Sequence, residues 1–315
     1  MNTDKYAYFL SIIIPLYNEE KSLNELNDAI MSVMLQLNKS YEIIYIDDGS
    51  TDDSFSVLQK LYENNPSIKI YQFRKNFGKS AALSYGFQKA RGQFVITMDA
   101  DLQDDPREIP ALLDKLNQGY DLISGWKKVR RDPFVKRQTS KLFNYITSKV
   151  VGKRLHDFNC GLKAYKNEVV KNTKIYGQMH RYIPVLAHWN GFKIGEIPVK
   201  HHPRKYGVTK FGPSRFFAGL LDLITVYFLN RYNKRPLHLF GSIGIITLIS
   251  GLLICLYLAL YWIFIQSSLS NRPLLFLGVL LTIVGVQFVS LGLLGEMITE
   301  SRKQDIEYLI SRSLE

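Results

Sequence analysis

From Tyr8 to Ser124 the chain alternates short apolar runs with stretches whose apolar residues recur at helical spacing. Phe9 to Ile14, Tyr41 to Ile46, Lys69 to Phe73, Phe94 to Met98 and Asp121 to Ser124 read as strands. Helices are expected from Ser22 to about Leu37, Asp53 to about Glu63, Gly78 to about Ala90, and Arg107 to Leu116. Ser22-Leu23-Asn24-Glu25 has the form of a capping box for the first of these. Strand–helix repetition with short links predicts an α/β fold, a Rossmann-like, doubly wound, mostly parallel sheet.

The C-terminal part changes character. Leu237 to Ile265 and Leu274 to Leu294 are apolar runs without a charge, each long enough for a hydrocarbon core that takes roughly 20 residues. They predict two transmembrane helices. Pro213 to Tyr232 mixes aromatics, leucines and a few charges at a spacing that predicts amphipathic helices in the headgroup layer. The expected division is 1–212, an α/β domain; 213–235, the amphipathic helices; 236–296, the transmembrane hairpin; and 297–315, a tail. Lys205, Lys210, Arg215, Arg231, Lys234 and Arg235 precede the first span, and Arg302, Lys303 and Arg312 follow the second. The positive-inside rule then puts the α/β domain and both termini in the cytoplasm, on a multi-pass protein of the cell membrane. The apolar run Tyr8 to Ile14 stops at Pro15 and is too short for a signal peptide.

The formal net charge of +12 calls for an anionic partner. No stacking-aromatic motif accompanies the basic stretch from Lys127 to Lys141, so nucleic acid is not expected. Cys160 lies in a polar segment and Cys255 in an apolar one, so no disulfide is expected between them. Small residues in the spans, such as Gly244, Gly251, Gly278 and Gly285, allow close helix contact and a homo-oligomer.

Acidic residues follow the expected strands on one side. Asn18-Glu19 follows the first, Asp47-Asp48 the second and Asp99-Ala100-Asp101 the fourth. Ligands of such sheets sit beyond the carboxyl ends of the strands. Two carboxylates spaced i, i+2 at a buried strand end require a cation, and a hard divalent ion that also grips a diphosphate satisfies both. A carboxylate in Asp47-Asp48-Gly49-Ser50 can accept hydrogen bonds from a nucleobase or ribose. No G-x-G-x-x-G follows the first strand and no G-x-x-x-x-G-K-[ST] is present, which argues against dinucleotide and P-loop enzymes.

Six segments together resemble glycosyltransferase family 2 with the GT-A fold. They are Ile14 to Glu20, Asp47 to Ser50, Arg74 to Lys79, Met98 to Gln103, Asp157 to Lys163 and Gly207 to Phe211. The nearer likeness is to polyprenyl-phosphate sugar transferases of the dolichyl-phosphate mannose synthase and undecaprenyl-phosphate glucosyltransferase type. The resemblance implies that residues 1–212 are a GT-A catalytic domain. Pro15, Tyr17, Glu19, Asp47, Asp48, Asp99, Lys79 and Lys210 would bind the donor nucleotide. Asp99 and Asp101 would hold Mg²⁺ or Mn²⁺, and Asp101 and Asp157 would be catalytic, Asp157 as base or as an orienting group. Lys128, Arg131, Lys136, Arg137, Ser140 and Arg181 would meet the acceptor phosphate. Gln178-Met179-His180-Arg181-Tyr182 is similar to the Q-x-x-R-W of polysaccharide synthases, with Tyr182 in place of Trp, and two spans are too few for a polymer channel. His201-His202 lacks a carboxylate at ligand spacing and reads as surface histidine.

The implied partners are a nucleotide-sugar donor, a polyprenyl-phosphate acceptor and the lipid bilayer. The expected reaction is inverting transfer of a hexose, glucose from UDP-glucose, to undecaprenyl phosphate or a similar lipid. GDP-mannose or another donor stays open, as does, in another class, a non-catalytic membrane scaffold that binds anionic lipid.

Overall fold

The computed structural model describes residues 6–128, 147–148, 155–175, 177, 179–206, 225, 227–228, 235–265 and 273–301. The chain forms two compact units that meet in sequence at 226 and 227.

The first unit is a seven-stranded sheet with helices against it. Its strands are β1 (Tyr8–Leu16), β2 (Tyr41–Asp47), β3 (Ile68–Gln72), β4 (Gly92–Thr97), β5 (Leu122–Trp126), β6 (Lys163–Lys166) and β7 (Ile194–Pro198). Its helices are α1 (Leu23–Leu37), α2 (Ser54–Asn64), α3 (Lys79–Lys89), α4 (Ile109–Asn117), α5 (Asn167–Asn172) and α6 (Ile183–Trp189). The strand order is β3-β2-β1-β4-β6-β5-β7. The neighbours among β1 to β4 pair in parallel, as do β5 and β7. Strand β6 runs antiparallel to both β4 and β5, the one reversal in the predicted parallel arrangement. It brings the loop before it, Asp157 to Leu162, to the same rim as the end of β4.

The run Ile12-Ile13-Ile14 of β1 is fully buried, as are Ile43 to Ile46 of β2, because central parallel strands are covered on both faces. Leu23, Leu26, Ile30, Val33 and Met34 form the buried stripe of α1. At the opposite rim, buried Glu42 accepts hydrogen bonds from Ser11 Oγ at 2.6 Å and Arg91 N–H at 2.7 Å, and pairs with Lys69. That carboxylate is satisfied within the fold.

The expected capping box does not form. Ser22 makes no cap to α1; its hydroxyl donates instead to the Glu19 carbonyl at 2.9 Å, and Glu25 pairs with Lys205 at 2.7 Å. The hydroxyl thus stabilises the turn that carries Glu19. The expected histidines at the surface are also partnered. His202 Nε2 lies 3.2 Å from Asp105, and His201 forms a β-bridge with Asp104. Asn18 (φ 57°) and Leu102 (φ 60°) adopt the left-handed conformation, which side chains such as leucine rarely take. Both sit at the acidic rim, where strain of about 1–3 kcal/mol is characteristic of functional loops.

The second unit contains α7 (Pro236–Ile265) and α8 (Pro273–Ser301), both long and apolar enough to cross a membrane. At 1.5 Å per residue α7 is about 45 Å long, more than a hydrocarbon core of about 30 Å. The two helices meet along small residues. A Cβ on Gly244 would lie 2.8 Å from the Gly285 carbonyl, and one on Gly251 would lie 2.7 Å from that of Gly278. Outward positions carry large apolar side chains such as Ile246, Leu253, Phe276 and Leu280. The Glu296 carboxylate accepts the Leu237 N–H at 3.3 Å, capping the start of α7.

Asp105 holds the turn after β4. It accepts the Arg107 N–H at 3.0 Å, pairs with the Arg107 guanidinium at 2.8 Å, and meets His202. Burial opposes its charge, but Arg107 and His202 outweigh burial and hold the carboxyl down at about 2. A carboxyl depressed in the fold stabilises it above the unfolded value, and that stabilisation is lost as pH falls through the folded value. Asp105→Asn keeps an oxygen for the Arg107 N–H but loses the ion pairs to Arg107 and His202, and should therefore lower the thermal midpoint near neutrality by an amount corresponding to about 1 kcal/mol. The gap to the parent should close as pH falls from about 4 towards 2, which melting curves across that window measure.

Candidate active site

The carboxyl ends of β1, β2 and β4 open onto one rim, and four groups of side chains meet there. The first is acidic. Asp99, Asp101 and Asp104 follow β4, and the left-handed Leu102 turns the chain between the second and third. Both oxygens of Asp104 are buried without a hydrogen bond; Lys127 Nζ lies 3.6 Å away. Gly161, in the loop before β6, passes so close that a Cβ there would be 2.7 Å from Asp99 Oδ2 and 2.8 Å from Asp104 Oδ2. The glycine keeps open the space that both carboxylates face.

The second group is cationic. Lys79, the first residue of α3, reaches Asp99 Oδ1. Lys127 follows β5 and faces Asp104. Lys163 of β6 is buried and donates to the Cys160 carbonyl. Burial works against the charged form of Asp99, yet Lys79, with Lys127 and Lys163 beyond it, holds its carboxyl down at about 2. Burial, then the charges of Asp99 and Asp104, push Asp101 up. Burial lowers Lys163, whereas Asp104 and its neighbours outweigh burial and raise Lys127. The cleft beside Asp99 is lined by Pro15, Lys79, Asn159, Lys163 and His180 among others.

The third group holds the donor-side loops. Asp47 accepts from Ser50 N–H at 2.9 Å and Gln72 Nε2 at 2.8 Å. Asp48 accepts from the N–H groups of Phe77 at 2.7 Å and Gly78 at 2.8 Å. Asp47 therefore ties the β2 turn to the end of β3, and Asp48 ties it to the loop that starts α3. Gly49 (φ +73°) lets these loops touch, since a Cβ there would be 2.6 Å from the Lys75 backbone. Glu19 pairs with Arg204 at 2.6 Å; burial raises its carboxyl in spite of that partner. Tyr17 is half-buried just after β1.

The fourth group lies on the far side of Asp99. Asp157 is buried, and its Oδ1 accepts the Asn159 N–H at 3.0 Å. Lys128 is exposed, with Nζ 5.9 Å from the Trp126 ring. Ser80 Oγ accepts the His180 N–H at 3.0 Å and lies 2.9 Å from His180 Nδ1, which fixes the half-buried segment bearing Arg181 beside α3. Burial, then Lys79 and Arg181, push the His180 imidazole well below its usual range.

The structure thus gathers Pro15, Tyr17, Glu19, Asp47, Asp48, Lys79, Asp99, Asp101, Asp157, Lys128 and Arg181 in one domain. Arg131, Lys136, Arg137, Ser140 and Lys210, and most of the amphipathic stretch 213–235, lie outside the described residues. Asp104, Lys127, Lys163, His180 and Arg204 join the rim without having been singled out as site residues. Lys127 carried a signal, because it follows a strand on the ligand side. Lys163 and His180 lay within segments already noted, but nothing there assigned them to the rim, since their placement depends on the reversal of β6 and on a contact across 100 residues.

A divalent ion fits this rim. Asp104 offers buried oxygens without a hydrogen bond, and Gly161 leaves room between it and Asp99. Among the described residues no three Asp, Glu, His or Cys side chains already form a complete ligand set. Magnesium-like ions are commonly held by one or two carboxylates, with substrate phosphates and water completing the shell.

The glycosyl transferase family 2 model matches residues 11–173, from β1 through α5. A dodecaprenyl-phosphate galacturonate synthase of Rhizobium johnstonii is 38% identical over 301 residues, covering 94% of this chain and 89% of the relative. An undecaprenyl-phosphate 4-deoxy-4-formamido-L-arabinose transferase of Edwardsiella ictaluri is 34% identical, covering 95% and 91%. Glucosyl-3-phosphoglycerate synthase of Mycobacterium tuberculosis, crystallised with Mn²⁺, UDP and glucosyl-3-phosphoglycerate, shares the fold at a TM-score of 0.56 and 17% identity, covering 71% and 80%. The fold is thus the GT-A type expected from the sequence. The chain belongs to glycosyltransferase family 2.

Gly161→Ala should push Asp99 and Asp104 off their positions. A displacement of about 1 Å at such a site costs about 100-fold in turnover. Circular dichroism should remain that of the parent while sugar transfer and Mn²⁺-dependent UDP binding fall together.

Proposed function

We propose that this chain transfers a sugar from a uridine diphosphate sugar to a polyprenyl phosphate at the membrane surface, inverting the anomeric carbon. The observation that carries the proposal is the acidic rim, with Asp104 buried and lacking a hydrogen bond and Lys79 and Lys127 facing its carboxylates. The relatives named above act on polyprenyl phosphates, which supports the acceptor, and the two apolar helices support a membrane location. On this reading the domain and both termini face the cytoplasm, and the amphipathic stretch keeps the lipid phosphate within reach.

Asp99 and Asp101, with Asp104 behind them, would hold the divalent ion. Bound there, the ion supplies Lewis-acid neutralisation of the departing diphosphate. Arg204, beside Glu19, is placed to add positive charge at the donor rim. A phosphate monoester is already mostly dianionic at neutral pH, its second pKa being about 6. Its oxygen attacks the anomeric carbon, the bond from that carbon to the diphosphate oxygen breaks, and the electron pair leaves with UDP. The acceptor therefore needs orientation and charge compensation. Lys128 and Arg181 are the described candidates for compensation, and Asp157 for orientation. Arg131, Lys136, Arg137, Ser140 and Lys210 keep the roles expected of them.

For the sugar we favour a hexuronate such as galacturonate. Its support is the 38% identical galacturonate synthase. Glucose, expected from the sequence, and a formamido pentose are the competing donors.

Purified protein should be assayed with polyprenyl phosphate, Mn²⁺ or Mg²⁺, and UDP-galacturonate, UDP-galactose, UDP-glucose or GDP-mannose. Labelled galacturonate should enter the organic phase, and a chelator should stop it. Asp101→Ala should lower turnover by at least about 100-fold. Equal transfer from UDP-galactose would remove the uronate assignment, and equal activity of Asp101→Ala would favour the scaffold.

A further inference from the structure

Glu196, in β7, does not touch the acidic rim, yet three of its contacts converge on the residues that lead into it. Its carboxylate accepts the His156 N–H at 2.8 Å through Oε1 and 2.9 Å through Oε2. It accepts the Asp157 N–H at 3.0 Å and lies 3.0 Å from His156 Nδ1. The Glu196 side chain is 10% exposed, while the His156 side chain that it holds is 50% exposed. Residues 155–162 belong to no strand; this carboxylate holds His156 and Asp157 at the start of the segment, while Thr97 Oγ1 and the Gly125 N–H hold its end through the Gly161 and Leu162 carbonyls.

Two neighbours reinforce the clamp. The His156 ring stacks on Trp126 with centroids 4.2 Å apart and planes 21° from parallel. Trp126 ends β5, whose Ser124 is in register with Glu196 across the β5–β7 ladder. Both supports thus stand on adjacent strands of the rigid sheet. Beyond the clamp, Asp157 Oδ1 receives the Asn159 N–H, and Gly161 reaches the Asp99 and Asp104 carboxylates. One anion therefore sets the direction in which the chain presents Asp157.

We propose that Glu196 is a positioning residue: by gathering the His156 and Asp157 N–H groups and the His156 ring, it aims Asp157 at the acceptor. The proposal rests on the reading of Asp157 as the acceptor-side carboxylate. Glu196 itself needs no contact with either substrate.

The test uses the full-length protein with polyprenyl phosphate and its best donor, and four variants. Glu196→Ala should lower kcat about 100-fold, the scale of a misplaced reacting group. The donor KM and Mn²⁺-dependent UDP affinity should stay within about twofold, since the donor side is untouched. Glu196→Gln keeps the shape and one accepting oxygen and should lose about tenfold, which keeps the proposal testable should the alanine variant fail to fold. Asp157→Asn should be at least as slow as Glu196→Ala. The double variant Glu196→Gln with Asp157→Asn should be no slower than Asp157→Asn alone, because residues acting through one group are non-additive.

Multiplied losses in the double variant, or a donor KM rising as kcat falls, would overturn the positioning role and leave the Asp157 reading intact. An Asp157→Asn variant with parental turnover would overturn both.

Discussion

Like charges crowded at the mouth of a sheet must be countered, and most of the catalytic domain's polar architecture answers to that. Asp99, Asp101 and Asp104 follow one strand within six residues and are largely withdrawn from water. Removing carboxylates from water costs several kcal/mol each unless cations and hydrogen bonds offset it. Lys79 arrives from the start of α3 and Lys127 from the end of β5, so two separate parts of the chain must be in place before the acids are tolerable. The same charges make the rim asymmetric. Asp99 is held ionised while Asp101 is pushed towards the neutral form. An incoming cation relieves the repulsion between them.

The loops around this centre are fastened by buried acids with no need of a ligand. Asp48 and Asp47 lash the β2 turn to the segments beside it, and Glu196 does the same for the chain entering β6. Carboxylates at a GT-A rim thus have two physical fates. Those whose oxygens are filled by backbone N–H groups act as fasteners, and those lacking such donors, Asp104 above all, are available for a cation.

Much of this was legible in the sequence. Five strands, the helices between them and the two apolar spans were readable because each has a strong local period or length. The acidic residues at strand ends pointed, through a rule of topology, to the rim where the structure gathers them. Strand β6 was not readable: Lys163 to Lys166 is four residues long, and its reversal follows from pairing with β4 and β5, which are distant in sequence. Everything that depends on that strand was hidden with it, including the approach of Gly161 to Asp99. The capping box failed for a similar reason. Ser22 had two acceptable partners, and the turn bearing Glu19 claimed its hydroxyl. A motif states which bonds are possible, while the fold decides which are made.

The glycine seam between α7 and α8 has a consequence for insertion into a bilayer. Lipid offers little hydrophobic drive for helices to associate, so close backbone approach must do it. Here Gly244, Gly251, Gly278 and Gly285 face the opposite helix, and what remains outside is bulky and oily. The pair can therefore move within a bilayer as a single peg, wedged tightly within and apolar without.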